Sequence, residues 1–152
     1  GSQPEPKPEN LNDVLASVVQ YIGRRTSNRI TISLQLPHEP IIASVCAPLF
    51  EWVVENLCKN AIDAMEGSGS ITLTAREEPT CISVEVADTG KGMPKNRFSS
   101  VFTPGYTTKE RGWGLGLSLA KRIVEEYHDG RIYVKNSEIG KGTTFRVELK
   151  KH

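Results

Sequence analysis

Two hydrophobic periods alternate along the chain. Over residues 10–26, Leu11, Val14, Leu15, Val18, Val19 and Ile22 recur at intervals of mostly three and four, which predicts an amphipathic helix capped by Asn10 or Asn12. Ile30, Ile32, Leu34 and Leu36 then alternate with polar residues, the mark of a strand with one apolar side. Pro37-His38-Glu39-Pro40 predicts a turn, residues 41–45 a short second strand, and residues 47–66 the longest helix. Period two returns over 70–76 and 81–87, where Ile82, Val84 and Val86 share a side, and the two strands are joined across 77–80. No clear period runs through 93–113. A helix from about 115 to 127 and strands over 131–135 and 144–149 complete the pattern. Helices alternating with hairpin-like strand pairs predict an α/β two-layer sandwich. Its one mixed, mostly antiparallel sheet is covered by about three helices on one face.

The chemistry gathers at the end of the 81–87 strand, in Asp88-Thr89-Gly90-Lys91-Gly92-Met93. Asp88 keeps the parity of Ile82, Val84 and Val86, so its carboxylate falls at the rim of the apolar face. Burial there is costly unless something donates to it. Gly90 and Gly92 allow a close main-chain approach or a positive φ. An acceptor beside bare backbone suits a flat heterocycle bearing an amine, although an Asp–Gly turn closing a strand fits the same residues. Thr143 shares the parity of Phe145, Val147 and Leu149 on the last strand. If that strand pairs with the one bearing Asp88, an Asp–Thr–water network would hold the amine.

Three further stretches add to this centre. At about 100° per residue, Leu49, Val53, Leu57, Ala61 and Ala64 share one arc of the long helix, and Glu51, Glu55, Lys59 and Glu66 share the solvated opposite arc. Asn56, Asn60 and Asp63 form a polar stripe at the edge of the apolar arc. Their oxygens suit a hard cation such as Mg²⁺ that keeps waters and phosphate oxygens; hydrogen bonds to neighbouring backbone are the plainer use. Gly112-Trp113-Gly114-Leu115-Gly116 precedes a helix, whose first amides favour anions. Between the two glycine clusters lies a patternless stretch of lid length. It carries Thr107, Thr108, Lys109 and Arg111, and Phe98 and Phe102 at helical spacing anchor a short helix to the core.

Composition removes alternatives more than it adds any. At 152 residues and net charge +1, the chain is one domain with no basic patch for nucleic acid and no apolar run long enough to span a bilayer. Three widely spaced cysteines give no zinc pattern and read as small hydrophobes of a reducing compartment. Residues 1–9, rich in proline, read as a tag and linker ahead of a domain spanning 10–150.

Taken in order, these stretches resemble the catalytic ATP-binding domain of two-component sensor histidine kinases, in the superfamily shared with gyrase, heat-shock chaperone and mismatch-repair ATPases. Residues 56–65 resemble its N box, 88–92 the first glycine box, 101–109 the F box, 112–116 the second glycine box and 140–145 the closing motif. The resemblance implies a Bergerat-type fold, ATP and Mg²⁺ as cofactors, and transfer of the γ-phosphoryl group to a histidine. It implies that Asn60 ligates the metal and that Asn56 lies beside metal and phosphates. Asp88 would accept from the adenine amine, Gly90 and Gly92 would wall the adenine, and Thr143 would support it through water. Asn60 and Lys109 are the implied catalytic pair. Gly114 and Gly116 would cradle phosphate, and Met93, Phe102, Thr107, Thr108, Gly112, Leu115 and Leu117 complete the implied nucleotide-binding set.

Two positions depart from the family pattern. Gly105 stands where many members carry an aromatic, and Asp63 replaces a frequent lysine or arginine. No phosphoacceptor is expected within the chain. His38 lies in a proline turn, His128 follows a helix as a cap would, and His152 is terminal. The acceptor and dimerisation helices are expected ahead of residue 1, in a homodimeric parent that signals to a downstream response regulator. The domain itself is expected in the cytoplasm, in a parent that many members anchor in the membrane. A superfamily ATPase, a serine kinase of the anti-sigma-factor kind and an ATP-binding module without transferase activity remain as alternatives.

Overall fold

The computed structural model describes residues 4–104 and 116–151. Its order is β1 (Lys7–Asn10), α1 (Leu11–Gly23), β2 (Ile30–Gln35), β3 (Ile42–Val45), α2 (Ala47–Met65), β4 (Gly69–Glu77), β5 (Cys81–Asp88), α3 (Gly116–Arg122), β6 (Arg131–Glu138) and β7 (Gly142–Lys150). Two 3-10 turns, Lys95–Arg97 and Ser100–Phe102, follow β5, and α3 ends in a π-helical turn over Ile123–Tyr127.

The main sheet has the order β2-β4-β5-β7-β6. Only β2 and β4 run parallel; the β4–β5, β5–β7 and β7–β6 pairs are antiparallel. The expected pairing of β5 with the last strand is present, with Asp88 directly opposite Thr143. Both lie on the face of Val86 and Phe145, which alternation along a pleated strand requires.

That face carries the core. α1 buries Leu11, Val14, Leu15, Val18 and Ile22, and α2 buries Phe50, Val53, Val54, Leu57, Cys58, Ala61 and Met65. They meet Ile71, Leu73, Val84, Val86, Phe145 and Val147 of the sheet. Each fully buried side chain of this size is worth about 1.5–3 kcal/mol of transfer free energy.

Three elements differ from the sequence-based expectation. The second strand does not join the main sheet; β3 pairs antiparallel with β1 in a separate two-stranded ribbon. The start set aside as linker therefore contributes Lys7, Pro8 and Glu9 to β1, and Pro8 is tolerated because a ribbon strand has a free edge. Leu11 N–H donates to Ile41 O at 2.8 Å, and the Asn10 side chain accepts from Asp13 N–H, so ribbon and helix start are tied together. Second, the buried face of α2 is shifted from the expected arc: Val54, Cys58 and Met65 are buried, Leu49 and Ala64 are half-exposed, and Glu55 is half-buried. Desolvation, only partly offset by Lys59, raises the Glu55 carboxyl pKa, which places it off a fully solvated face. Third, β6 runs on to Glu138 through a bulge between Val134 and Asn136.

Candidate functional site

Asp88 ends β5 with 7% of its surface exposed. Its Oδ1 accepts from Gly90 N–H at 2.8 Å and from Thr143 N–H at 3.3 Å. Among the described residues, no partner falls on the other oxygen. Burial raises this carboxyl group's pKa above the ordinary aspartate value, against the two amides that favour its charged form. Thr143 therefore meets Asp88 through its main chain; its hydroxyl, 4% exposed as a residue, is engaged elsewhere.

The loop after Asp88 is stitched to its surroundings by main-chain bonds. Lys91 N–H donates to Ala64 O of α2 at 2.9 Å, and Gly140 N–H donates to Lys91 O at 2.7 Å. Gly92 has φ +71°, and a β-carbon there would come within 2.1 Å of Glu138 O. Only glycine fits the turn and the close approach together. Met93 N–H donates to Ser137 Oγ at 2.9 Å.

On α2, Asn56 is buried and its amide donates to Trp52 O at 2.8 Å, one turn back. That use of the amide matches the plainer reading of the polar stripe, and among the described residues nothing donates to the carboxamide oxygen. Gly116, the first residue of α3, packs against that oxygen; a β-carbon would sit 2.8 Å from it. The fold thus brings the Asn-bearing helix against Gly116, the last residue of the second glycine cluster. Asn60 and Asp63 are half-buried on the same helix, Asn60 one turn before the Ala64 carbonyl that receives Lys91. Leu117 packs half-buried against the core.

Phe102 is 8% exposed and meets Phe145 edge-on, with centroids 5.9 Å apart at 87°. It therefore anchors the segment to the core, as expected, together with half-buried Phe98. The Lys121 ammonium lies 5.6 Å from the centroid of its ring. Thr107, Thr108, Lys109, Gly112, Gly114 and Leu115 lie outside the described residues.

One polar residue of this centre is not marked by its sequence pattern. Ser137 lies opposite Thr143, and the two hydroxyl oxygens are 2.7 Å apart. The signal was lost at the bulge: one extra residue reverses the parity after Val134, turning Ser137 and not Asn136 to the inner face.

Chemically, the site is an acidic acceptor at the end of an apolar strand, floored by tightly packed main chain. Among the described residues no cluster of three or more His, Cys, Asp or Glu could hold a metal. From the described residues a divalent cation here would have carboxamide oxygens and Asp63 to bind, and would need ligands brought by its own substrate.

Residues 47–152 match the family described as histidine kinase-, DNA gyrase B-, and HSP90-like ATPase. The chain is 37% identical over 163 residues to the sensor kinase CckA of Brucella abortus (strain 2308), covering 95% of this chain and 17% of that protein. It is 43% identical over 142 residues to the sensor histidine kinase ZraS of Escherichia coli (strain K12), covering 92% of this chain and 30% of that one. The chain therefore spans less than a third of the length of these curated relatives. Among solved structures, the nucleotide-free catalytic domain of histidine kinase ThkA superposes with a TM-score of 0.87 at 30% identity, covering 97% of this chain and 96% of that one. ThkA in complex with the response regulator TrrA superposes at 0.83 and 27% identity, covering 97% of this chain and 42% of that one.

Proposed function

The chain belongs to the histidine kinase-, DNA gyrase B-, and HSP90-like ATPase family, with the Bergerat-type fold of histidine kinase catalytic domains, and on that premise we propose that it binds Mg-ATP and passes the γ-phosphoryl group to a histidine. The acceptor histidine belongs to a separate dimerisation domain of a homodimeric parent. A response regulator receives the group afterwards, a reading supported by the ThkA–TrrA pairing.

The observation that carries this reading is Asp88: a buried carboxylate with one oxygen held by two amides and, among the described residues, no partner on the other. Among the described residues no buried side-chain oxygen lacks a partner, so the second Asp88 oxygen opens to solvent, where a ligand donor can reach it. An adenine amine is such a donor. The base would lie against the Gly90–Met93 loop, and its phosphates would run toward α2. There Asn56 offers the carboxamide oxygen that its bond to Trp52 leaves open, and Asn60 offers another. Mg²⁺, when bound, would neutralise charge on the transferring phosphoryl group. The donor set fits an ion that arrives with phosphate oxygens. The imidazole nitrogen of the acceptor attacks the γ-phosphorus as the bond to the β–γ bridging oxygen breaks, and ADP leaves with that oxygen. The protein's share is positioning and charge stabilisation, with Lys109 assigned to the phosphates.

Calorimetric titration with a non-hydrolysable ATP analogue tests the binding step. Binding strengthened by Mg²⁺ is expected; no heat, and unmoved amide signals at Gly90 and Thr143, would refute it. Asn60→Ala should abolish Mg-ATP-dependent phosphorylation of an added acceptor domain, read by phosphohistidine labelling. Undiminished labelling would remove Asn60 from the metal.

A further inference from the structure

Ser137 sits where three bonds meet. Its Oγ accepts from Met93 N–H at 2.9 Å, lies 3.1 Å from Gly142 O, and lies 2.7 Å from Thr143 Oγ1. A serine hydroxyl has one proton and two lone pairs. Gly142 O can only accept, so the Ser137 proton belongs to it. Were that proton given to Thr143 instead, Ser137 Oγ and Gly142 O would face each other as two bare acceptors. One arrangement satisfies all three contacts: Ser137 donates to Gly142 O and accepts from Met93 N–H and from the Thr143 hydroxyl. The Thr143 proton is thereby turned toward Ser137, leaving only lone pairs on Oγ1 for anything beside Asp88.

We propose that Ser137 is a positioning residue of the nucleobase site: by taking the Thr143 proton it makes the rim of the hollow, Asp88 and Thr143 together, a set of acceptors that selects a 6-amino purine over a 6-oxo purine. The proposal rests on the nucleotide reading of the Asp88 hollow. The β6 bulge exists in register with this task, because without the extra residue Asn136 would face Thr143 and Ser137 would point to the outer face. Ser137 also ties Met93 N–H, so the loop after Asp88 and the Thr143 hydroxyl are set by one atom.

The test measures ADP and IDP affinities by calorimetry for the wild-type chain and for Ser137→Ala and Ser137→Thr, with thermal melts alongside. In Ser137→Ala the Thr143 proton is released and can turn into the hollow, where it opposes an amine and satisfies an oxo group. ADP should weaken about tenfold while IDP holds or gains, so the ADP/IDP preference falls by at least about tenfold. Ser137→Thr keeps the hydroxyl and should keep the wild-type preference. A merely structural serine would weaken both nucleotides alike. An unchanged preference in Ser137→Ala, or a shifted one in Ser137→Thr, overturns the proposal. A wild-type chain that binds neither nucleotide overturns the nucleotide reading and this inference together; wild-type binding with an unmoved preference overturns this inference alone.

Discussion

Strands β5 and β7 carry two polar clusters, one on each face of the sheet. On the outer face, Arg146 reaches three carboxylates: Glu78 at 2.6 Å, Glu85 at 2.9 Å and Glu148 at 2.8 Å. Lys135 completes Glu85 at 3.0 Å, and Tyr133 donates to Glu148 at 2.6 Å. Every nitrogen of the guanidinium has a partner. On the inner face, at the end of the same strands, Asp88 has both its described bonds on one oxygen. Burial is similar: Glu85 is 8% exposed and Asp88 7%. The clusters differ in saturation. A network closed on itself holds strands together; a carboxylate with one oxygen fixed by amides and the other open to solvent can be completed from outside. The two should therefore come apart under mutation, one losing ligand and the other losing stability.

The largest effect is expected at Asp88. Asp88→Asn swaps the open acceptor for an amide that opposes an amine, and removes a charge-assisted bond worth about 1.5–3 kcal/mol. Adenine nucleotide affinity should fall about a hundredfold by calorimetry. The melting temperature should hold or rise, because burial already penalises this carboxylate. Arg146→Met is the reciprocal case. It leaves three carboxylates facing one another on a partly exposed face. A loss of about 2–3 kcal/mol is expected in urea unfolding, below the 3–5 kcal/mol of a fully buried broken pair, with nucleotide affinity unchanged. If either variant moved both quantities equally, the division between the clusters would fail.

The same contrast can be read in acid. The Arg146 hydrogen bond holds the Glu78 pKa down to about 2. For Glu85, burial pushes upward, but the bonds from Lys135 and Arg146 outweigh it and the net shift is downward. Tyr133 and Arg146 likewise lower Glu148. Groups lowered in the folded state add stability above their unfolded value, about 4.3, and that stability drains away as pH falls toward about 2. Asp88 is raised, so its sign is opposite and acid relieves its burial. Stability curves of wild type and Arg146→Met should therefore converge between about pH 4.3 and pH 2. Parallel curves would show that the outer cluster contributes nothing through its charges.

How much of this the sequence showed depends on whether the pattern ran unbroken. Asp88 and Thr143 were legible because β5 and β7 are regular, so parity put each on its strand's apolar face; the structure adds the pairing that sets them opposite each other. Ser137 was not legible, because a bulge inverts parity without leaving a residue type that announces it. Glu78 fell in a connection between strands and gave no hint that it would meet Arg146, 68 residues away. The ribbon strand was hidden by the prolines of residues 1–9, which read as linker until β3 supplied a partner. Asn56 stood at the edge of the apolar arc, and the backbone bond that the plainer reading allowed is the one it makes, to Trp52 O.

The smallest expected effect tests whether saturation marks a structural role away from β5 and β7. His128, 7% exposed, accepts from Cys46 N–H through Nε2 at 3.0 Å, and its Nδ1 lies 3.0 Å from Ile123 O. Cys46 caps the N-terminus of α2 without a side-chain bond, so the imidazole takes up an amide that the helix leaves over. These partners fix the neutral tautomer with its proton on Nδ1. Protonation would put a second donor against Cys46 N–H. Burial accordingly lowers the imidazole pKa, against the Ile123 carbonyl, which favours the charged form. A lowered folded value means that the unfolded chain binds the proton better, so stability is full above about pH 6.5 and declines as pH falls through that value toward the folded one. Melting temperatures between pH 7.5 and 5.5 should fall by a few degrees in wild type. His128→Gln should begin about 1 kcal/mol lower and show less of that slope, while nucleotide affinity at pH 7.5 stays at the wild-type level. A loss of nucleotide binding in His128→Gln, with the fold intact, would break the rule that separates the two faces of the sheet, because a saturated group would then be serving the ligand.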